Sequence, residues 1–326
     1  MNAISLVDLL EENYRLLEKS RAKWLDKQVK YLLARIFTGK GKTLDIKTFN
    51  WLEKALAHKA GMFTSLTKTS RLTLAGLMLS NDIDPIDGIE ELFFNKQLLQ
   101  EQGFKSSSAL YFSAYQLFFT EVSSREEVCQ RARHLYREMK QGHPVLINST
   151  AYSMVVSLAQ SNNLSQMTVE EIVSLVEDYF VALNDMGVKN RDRCLQVAAL
   201  ATSLCGEKNQ TLLQKIDYYQ TVLQEEGLKI KGISFGSLLS LLYFSPDQVI
   251  LDLEELLFFI EDTSHHINLL FEKEYKHALA LSLYSEMKGL EYSQKQATVL
   301  PVTFSQMIVQ EQTLLAASTI DTLSNH

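Results

Sequence analysis

The chain has 326 residues, 46% of them apolar and 22% charged, with 13 glycines, 4 prolines and a net charge of −7. This is the composition of a folded globular protein and excludes extensive disorder, and so few prolines and glycines favour long helices over tight turns. Residues 1–50 hold ten Lys/Arg against six Asp/Glu, leaving 22 against 33 in the rest, an acidic body that argues against nucleic-acid binding, which phosphate neutralisation drives.

The opening residues Met1 to Ser5 run into Asp8, Glu11 and Glu12, whereas a secretory signal needs a basic start and an apolar run. Residues 1–60 read as an N-terminal helical cap. Its basic positions Arg15, Lys19, Arg21, Lys23, Lys27 and Lys30 have mostly helical spacing and fit a solvated helix face. In a homo-oligomeric structural protein they would instead dock on the acidic half of a second copy. The segment Gly39-Lys40-Gly41-Lys42-Thr43 contains the Gly-Lys-Thr end of a phosphate-binding loop. Ile36 stands where the first glycine is needed, and Tyr31 to Phe37 reads as helix instead of strand, so a plain loop is expected.

Residues 61–289 carry a repeat. Gly103-Phe104-Lys105, Gly187-Val188-Lys189 and Gly227-Leu228-Lys229 each follow a leucine, Leu99, Leu183 or Leu223, placed four residues before the glycine. Glycine in the left-handed conformation closes a helix, and the next apolar residue folds back onto the last turn. With looser copies at Gly61 and Gly142, the five glycines lie 42, 39, 45 and 40 residues apart, the interval of stacked helical hairpins. Before the stops, Leu92, Val176 and Ile216 stand at minus eleven and Tyr179 and Tyr219 at minus eight, one apolar stripe on a 3.6-residue helix. The shifted copy ending at Gly142 uses Val128, Ala132, Leu135, Tyr136 and Met139.

Helix starts are also marked. Ser124 with Glu127 and Thr168 with Glu171 fit the capping box, and Asp84-Pro85 and Ser245-Pro246 place a cap before a proline at the first helical position. After each stop comes a helix of another kind: residues 106–120, 144–169, 194–206 and 232–246 contain no Asp, Glu, Lys or Arg, whereas residues 121–142 carry nine. The longest uncharged stretch, 144–169, still holds Asn148, Ser149, Thr150, Gln160, Asn162 and Asn163, too polar to span a bilayer. A two-layer stack follows, with charged helices outside and uncharged helices inside. A sixth unit spans Leu251 to Met287, and residues 290–326 form an irregular C-terminal segment with a last helix. The expected fold is a single all-α domain over 1–326, stacked antiparallel hairpins of about 40 residues each. It forms an α-solenoid-like right-handed superhelix or, alternatively, a closed α/α toroid.

Cys129, Cys194 and Cys205 are odd in number and lack metal-ligand spacing, so reduced thiols in a cytoplasmic protein are expected. His265, His266 and His277 with Glu272 and Glu274 contain no His-x-x-x-His pair, and zinc is not expected. No catalytic residue, metal or cofactor is singled out. The uncharged helices carry Tyr111, Tyr115, Tyr152, Tyr243 and Tyr284. A phenol has an apolar body and a polar tip, which suits either a groove wall or a core with a bonded hydroxyl.

Asn13-Tyr14-Arg15-Leu16-Leu17, the Thr38-Gly39-Lys40-Gly41-Lys42 loop, Arg71-Leu72-Thr73 before an apolar helix, and the Gly-apolar-Lys stops together give the chain a family likeness. Over its whole length it resembles a bacterial family of uncharacterised helical proteins with a domain of unknown function. The resemblance implies a bacterial cytosolic setting and brings no site residues. The expected function is a non-catalytic module binding a protein or peptide, without nucleic acid or membrane. The alternative is a toroid enzyme acting on a carbohydrate or related small molecule through carboxylates at inner-helix ends.

Overall fold

Local chemistry sets the helix boundaries. In the computed structural model, Asp84 Oδ1 accepts from the Ile86 and Asp87 amides at 2.8 and 2.9 Å with Pro85 opening the helix. Thr168 and Glu171 satisfy one another's amides. The box expected at Ser124 does not form. Residues 122–124 make a 3-10 turn, and Ser124 is already in right-handed helical backbone, not the extended conformation a capping side chain requires. Ser245 lies outside the described residues, which are 3–61, 64–188, 190–225, 227, 246–263, 276–277, 279–285 and 287–288.

The stops are left-handed. Gly103 has φ +85°, and the Phe104 amide reaches back to the Leu99 carbonyl at 3.2 Å. Gly187 has φ +92°, with the Val188 amide on Leu183 at 3.1 Å. Gly227 is left-handed too, at φ +78°. Phe104 and Val188 are buried, as are Leu99, Leu183 and Leu223. Gly142 departs from this pattern: it is the last residue of a helix, and His143 takes the cap with its amide on Met139. Pro144 follows, and the residue before a proline is forced out of helical backbone, so proline ends this helix instead of a left-handed glycine.

The helices are α1 (Ala3–Glu18), α2 (Lys27–Gly39), α3 (Ile46–Ala60), α4 (Lys68–Ser80), α5 (Pro85–Glu101), α6 (Ser108–Gln116), α7 (Arg125–Gly142), α8 (Tyr152–Gln160), α9 (Val169–Asp185), α10 (Arg191–Cys205), α11 (Gln210–Glu225) and α12 (Pro246–Thr263). No strand occurs among the described residues, and none of their helices is long and apolar enough to cross a membrane. Consecutive helices pair as hairpins, α1 with α2, α3 with α4, α5 with α6, α7 with α8 and α9 with α10. The hairpins stack in two rows. α3, α5, α7 and α9 make the outer row, and α2, α4, α6, α8 and α10 the inner. Pairing thus begins at α1. α1 also packs against α12.

Inner helices are buried nearly all round, from Ala109 to Gln116 in α6 and Tyr152 to Ala159 in α8. Their polar groups bond to the neighbouring hairpin. Ser113 and Ser153 hydroxyls pair at 3.2 Å, Gln116 Nε2 donates to Ser157 Oγ at 3.0 Å, and Gln160 Nε2 donates to the Gln116 carbonyl at 2.8 Å. The Tyr115 hydroxyl donates to the Leu77 carbonyl and Ser161 to the Ser203 carbonyl. These five bonds span 38 to 44 residues, one hairpin each, and they satisfy groups that burial would otherwise leave unpaired.

The motifs of the N-terminal third are structural. Asn13 Nδ2 donates to Thr38 Oγ1 and the Lys42 carbonyl, and its Oδ1 accepts from the Leu44 amide. Lys42 Nζ meets the Ser80 carbonyl and Asp82, so the Gly-Lys-Thr segment fastens a loop to the next hairpin. Arg71 and Arg21 both bond Glu53, whose side chain is fully buried. Two glycines separate the backbone effects. Gly187→Ala, with nothing within 4 Å of the added methyl, should cost about 1–2 kcal/mol through its left-handed backbone alone. Gly142→Ala, equally unobstructed and helical, should be neutral or stabilising by up to about 1 kcal/mol; opposite movements of the urea midpoint check both.

Candidate functional site

The first left-handed stop does more than end a helix. Phe104 folds inward and Lys105 emerges at one rim of the stack, opposite the outer helix of the next hairpin. Between them lies a cleft of about 700 Å³ lined by Gly103, Lys105, Ser106, Ser107, Arg133, Tyr136, Arg137, Lys140, Gln141, Asn148, Ser149 and Tyr152. Three elements build it: the α5–α6 turn, the C-terminal half of α7, and the residues entering α8.

Four of the lining side chains are cationic and none is a carboxylate, histidine or thiol. Arg133, Arg137 and Lys140 stand at i, i+4 and i+7 and share one stripe of α7. The Arg133 guanidinium lies over the rings of Phe104 and Tyr136, 5.6 and 5.5 Å from their centroids, and its Nε is buried without a hydrogen-bond partner. Gly103 borders the guanidinium, its left-handed backbone setting the turn beside Arg133. Lys140 Nζ reaches the Tyr136 hydroxyl at 3.4 Å. None of the four cations forms an ion pair among the described residues, whereas Arg125 on the same helix pairs with Glu91 and bonds Asn95. Glu138 reaches the rim through Gln141, which donates to it.

The rest of the lining is polar and neutral. Ser107 caps α6, accepting from the Leu110 amide, and the first turn of a helix presents unsatisfied amides and partial positive charge. Tyr152 holds the turn in place: its hydroxyl accepts from the Lys105 amide at 3.3 Å, and its ring meets Phe104 and Tyr136 edge-on. Burial raises the Tyr152 phenol above its ordinary value, the Lys105 amide and nearby cations opposing, so it stays a neutral hydroxyl at physiological pH. The site can neutralise and hold an anion.

Of the five tyrosines singled out in the sequence, Tyr152 lines this cleft. Tyr111 is buried with its hydroxyl 3.3 Å from Thr64 Oγ1, and buried Tyr115 bonds the Leu77 carbonyl and Asn81. Tyr284 is buried and donates to Asp252 at 3.0 Å. Tyr243 lies outside the described residues, as do His265, His266, Glu272 and Glu274. His277 is buried, and no group of three or more potential metal ligands gathers among the described residues. The cations of the cleft escape a reading of the sequence that counts charge by segment. A basic stripe at 133, 137 and 140, beside a lysine emerging from a glycine stop, is the signal that marks them.

The cysteines are free. Burial pushes the Cys129 thiol up to about 12 and the Cys194 thiol to about 11, and raises Cys205 as well.

Fold and cleft together define an all-α protein of stacked hairpins with a cationic pocket at its rim. The family model described as a protein of unknown function, DUF4003, matches residues 13–313, and the chain belongs to that family. No curated protein and no solved structure matches the chain.

The thiols give a direct check of burial. Because the thiolate is the reactive form, iodoacetamide at pH 8 should leave Cys129 and Cys194 of the native protein unmodified over an hour and label all three cysteines in denaturant. Rapid native labelling of either would contradict the packing described.

Proposed function

We infer that this protein is a non-catalytic binding module of stacked hairpins that takes an anionic ligand in the rim cleft. One observation carries the reading: four cations converge there with no carboxylate in the lining and no ion pair among the described residues, on a chain whose net charge is −7. Like charges spaced i, i+4 on one helix destabilise it, and an anion removes that cost. The protein or peptide partner anticipated from the sequence would have to present its charge to this cleft from an exposed side chain. The hydroxyls of Tyr111, Tyr115 and Tyr284 are already engaged within the fold, which lends no support to a tyrosine-lined peptide groove. Three unpaired thiols support a reducing cytoplasm as its setting.

The contact of α1 with α12 lends the toroid-enzyme alternative some support. That alternative also needs paired carboxylates in a pocket, and the rim cleft supplies cations instead.

Arg137 is exposed and without a partner among the described residues, so it tests the reading with little structural disturbance. Arg137→Gln should leave stability at low salt within about 0.5 kcal/mol of the parent. Inorganic phosphate, compared with sodium chloride at equal ionic strength, should raise the melting temperature of the parent and raise that of the variant much less. Equal phosphate responses would sink the proposal.

A further inference from the structure

Resting on the reading of the cleft as an anion site, we propose that its ligand carries a diphosphate group or two closely spaced phosphates. Length is the first reason. From Arg133 to Lys140 the cationic stripe covers seven residues of α7, about 10 Å at the rise of an α-helix, which outreaches a single phosphate and suits two. Charge is the second. Four cations match the three to four negative charges of a diphosphate at neutral pH, whereas one phosphate, with a second ionisation near 6, brings about two.

Donor chemistry is the third reason. Arg133 and Arg137 offer planar forks that bind phosphate oxygens in pairs, and Lys105 and Lys140 act as point charges at opposite ends. The Arg133 guanidinium is packed over the Phe104 and Tyr136 rings, so its position is restrained before any ligand arrives. The cleft, at about 700 Å³, exceeds a bare diphosphate and lies within the ordinary range of about 300–1,000 Å³ for small-molecule sites. There is room for an organic group attached to the phosphates.

Isothermal titration of the full chain at about 50 mM salt tests this with five probes: inorganic phosphate, pyrophosphate, ADP, citrate and a singly phosphorylated peptide. Pyrophosphate should bind at least tenfold more tightly than phosphate, citrate or the peptide. Affinity for ADP equal to that for pyrophosphate would show recognition of the diphosphate itself, and tighter ADP binding would show that the attached group contributes; either supports the proposal. Arg133→Gln and Arg137→Gln should each weaken pyrophosphate binding at least tenfold. Arg133→Lys, which keeps the charge and loses the fork, should weaken it severalfold, and Lys54→Gln on α3 should leave it unchanged. Circular dichroism confirms that each variant is folded. Citrate binding as tightly as pyrophosphate would overturn the diphosphate proposal and leave the anion site standing, as would preference for the peptide. Failure of every anion to bind would overturn both.

Discussion

The buried inner layer of helix, uncharged in α6 and α8, sets the main constraint on this molecule. Polar groups inside it cannot turn to water, and several find partners in the adjacent hairpin that fix how the hairpins sit against one another. Ser113 with Ser153, Gln116 with Ser157 and Gln160 with the Gln116 carbonyl hold α6 and α8 in a single register. Sliding α8 by one helical turn would strand all of these donors. Apolar contacts supply most of the favourable burial, but they are non-directional and tolerate small shifts. The hydrogen bonds supply the register.

That register creates the rim cleft. With α6 and α8 locked, the turn after α5 comes to rest against α7, and Tyr152 at the start of α8 bonds the Lys105 amide. The same Gly-apolar-Lys stop that closes a helix thereby delivers a lysine to a pocket already holding three cations of α7. Buried charges nearer the N-terminus are matched. Glu53 sits between two arginines, and Arg125 is matched by Glu91. Four unpaired cations gathered in one concave place are a local conflict of the kind that stable folds retain where binding requires it.

Much of the architecture is legible in the sequence because its signals are local. The left-handed glycines at 103, 187 and 227, the Thr168–Glu171 box and the Asp84-Pro85 start depend on a few neighbouring residues, and they appear in the structure as read. Ser124 and Gly142 fail for equally local reasons, a preceding 3-10 turn and a following proline. Two inner helices, α2 and α4, are concealed by charge: Lys30, Arg35 and Arg71 break the uncharged signature, although Lys30 is covered by an ion pair with Glu18 and by the Tyr14 ring, and Arg71 by Glu53. Gly206 passes unnoticed because its left-handed turn closes an inner helix and lacks the apolar-Lys pair. The cleft is the least legible feature. Its residues come from positions near 105, 137 and 150, and only tertiary contact brings them together. Tyr152 is visible beforehand by its place in an uncharged helix, whereas the cations it serves are not.

The account joins one claim about packing to one about charge: bonds spaced a hairpin apart hold a register, and that register assembles an uncompensated cationic pocket. A crystal structure of the full chain grown with pyrophosphate tests both at once. The account predicts density for the anion between Arg133 and Lys140, with the Ser113–Ser153 and Gln116–Ser157 bonds in place. A structure in which the α5–α6 turn stands away from α7, or in which the anion is bound only outside the cleft, would contradict it.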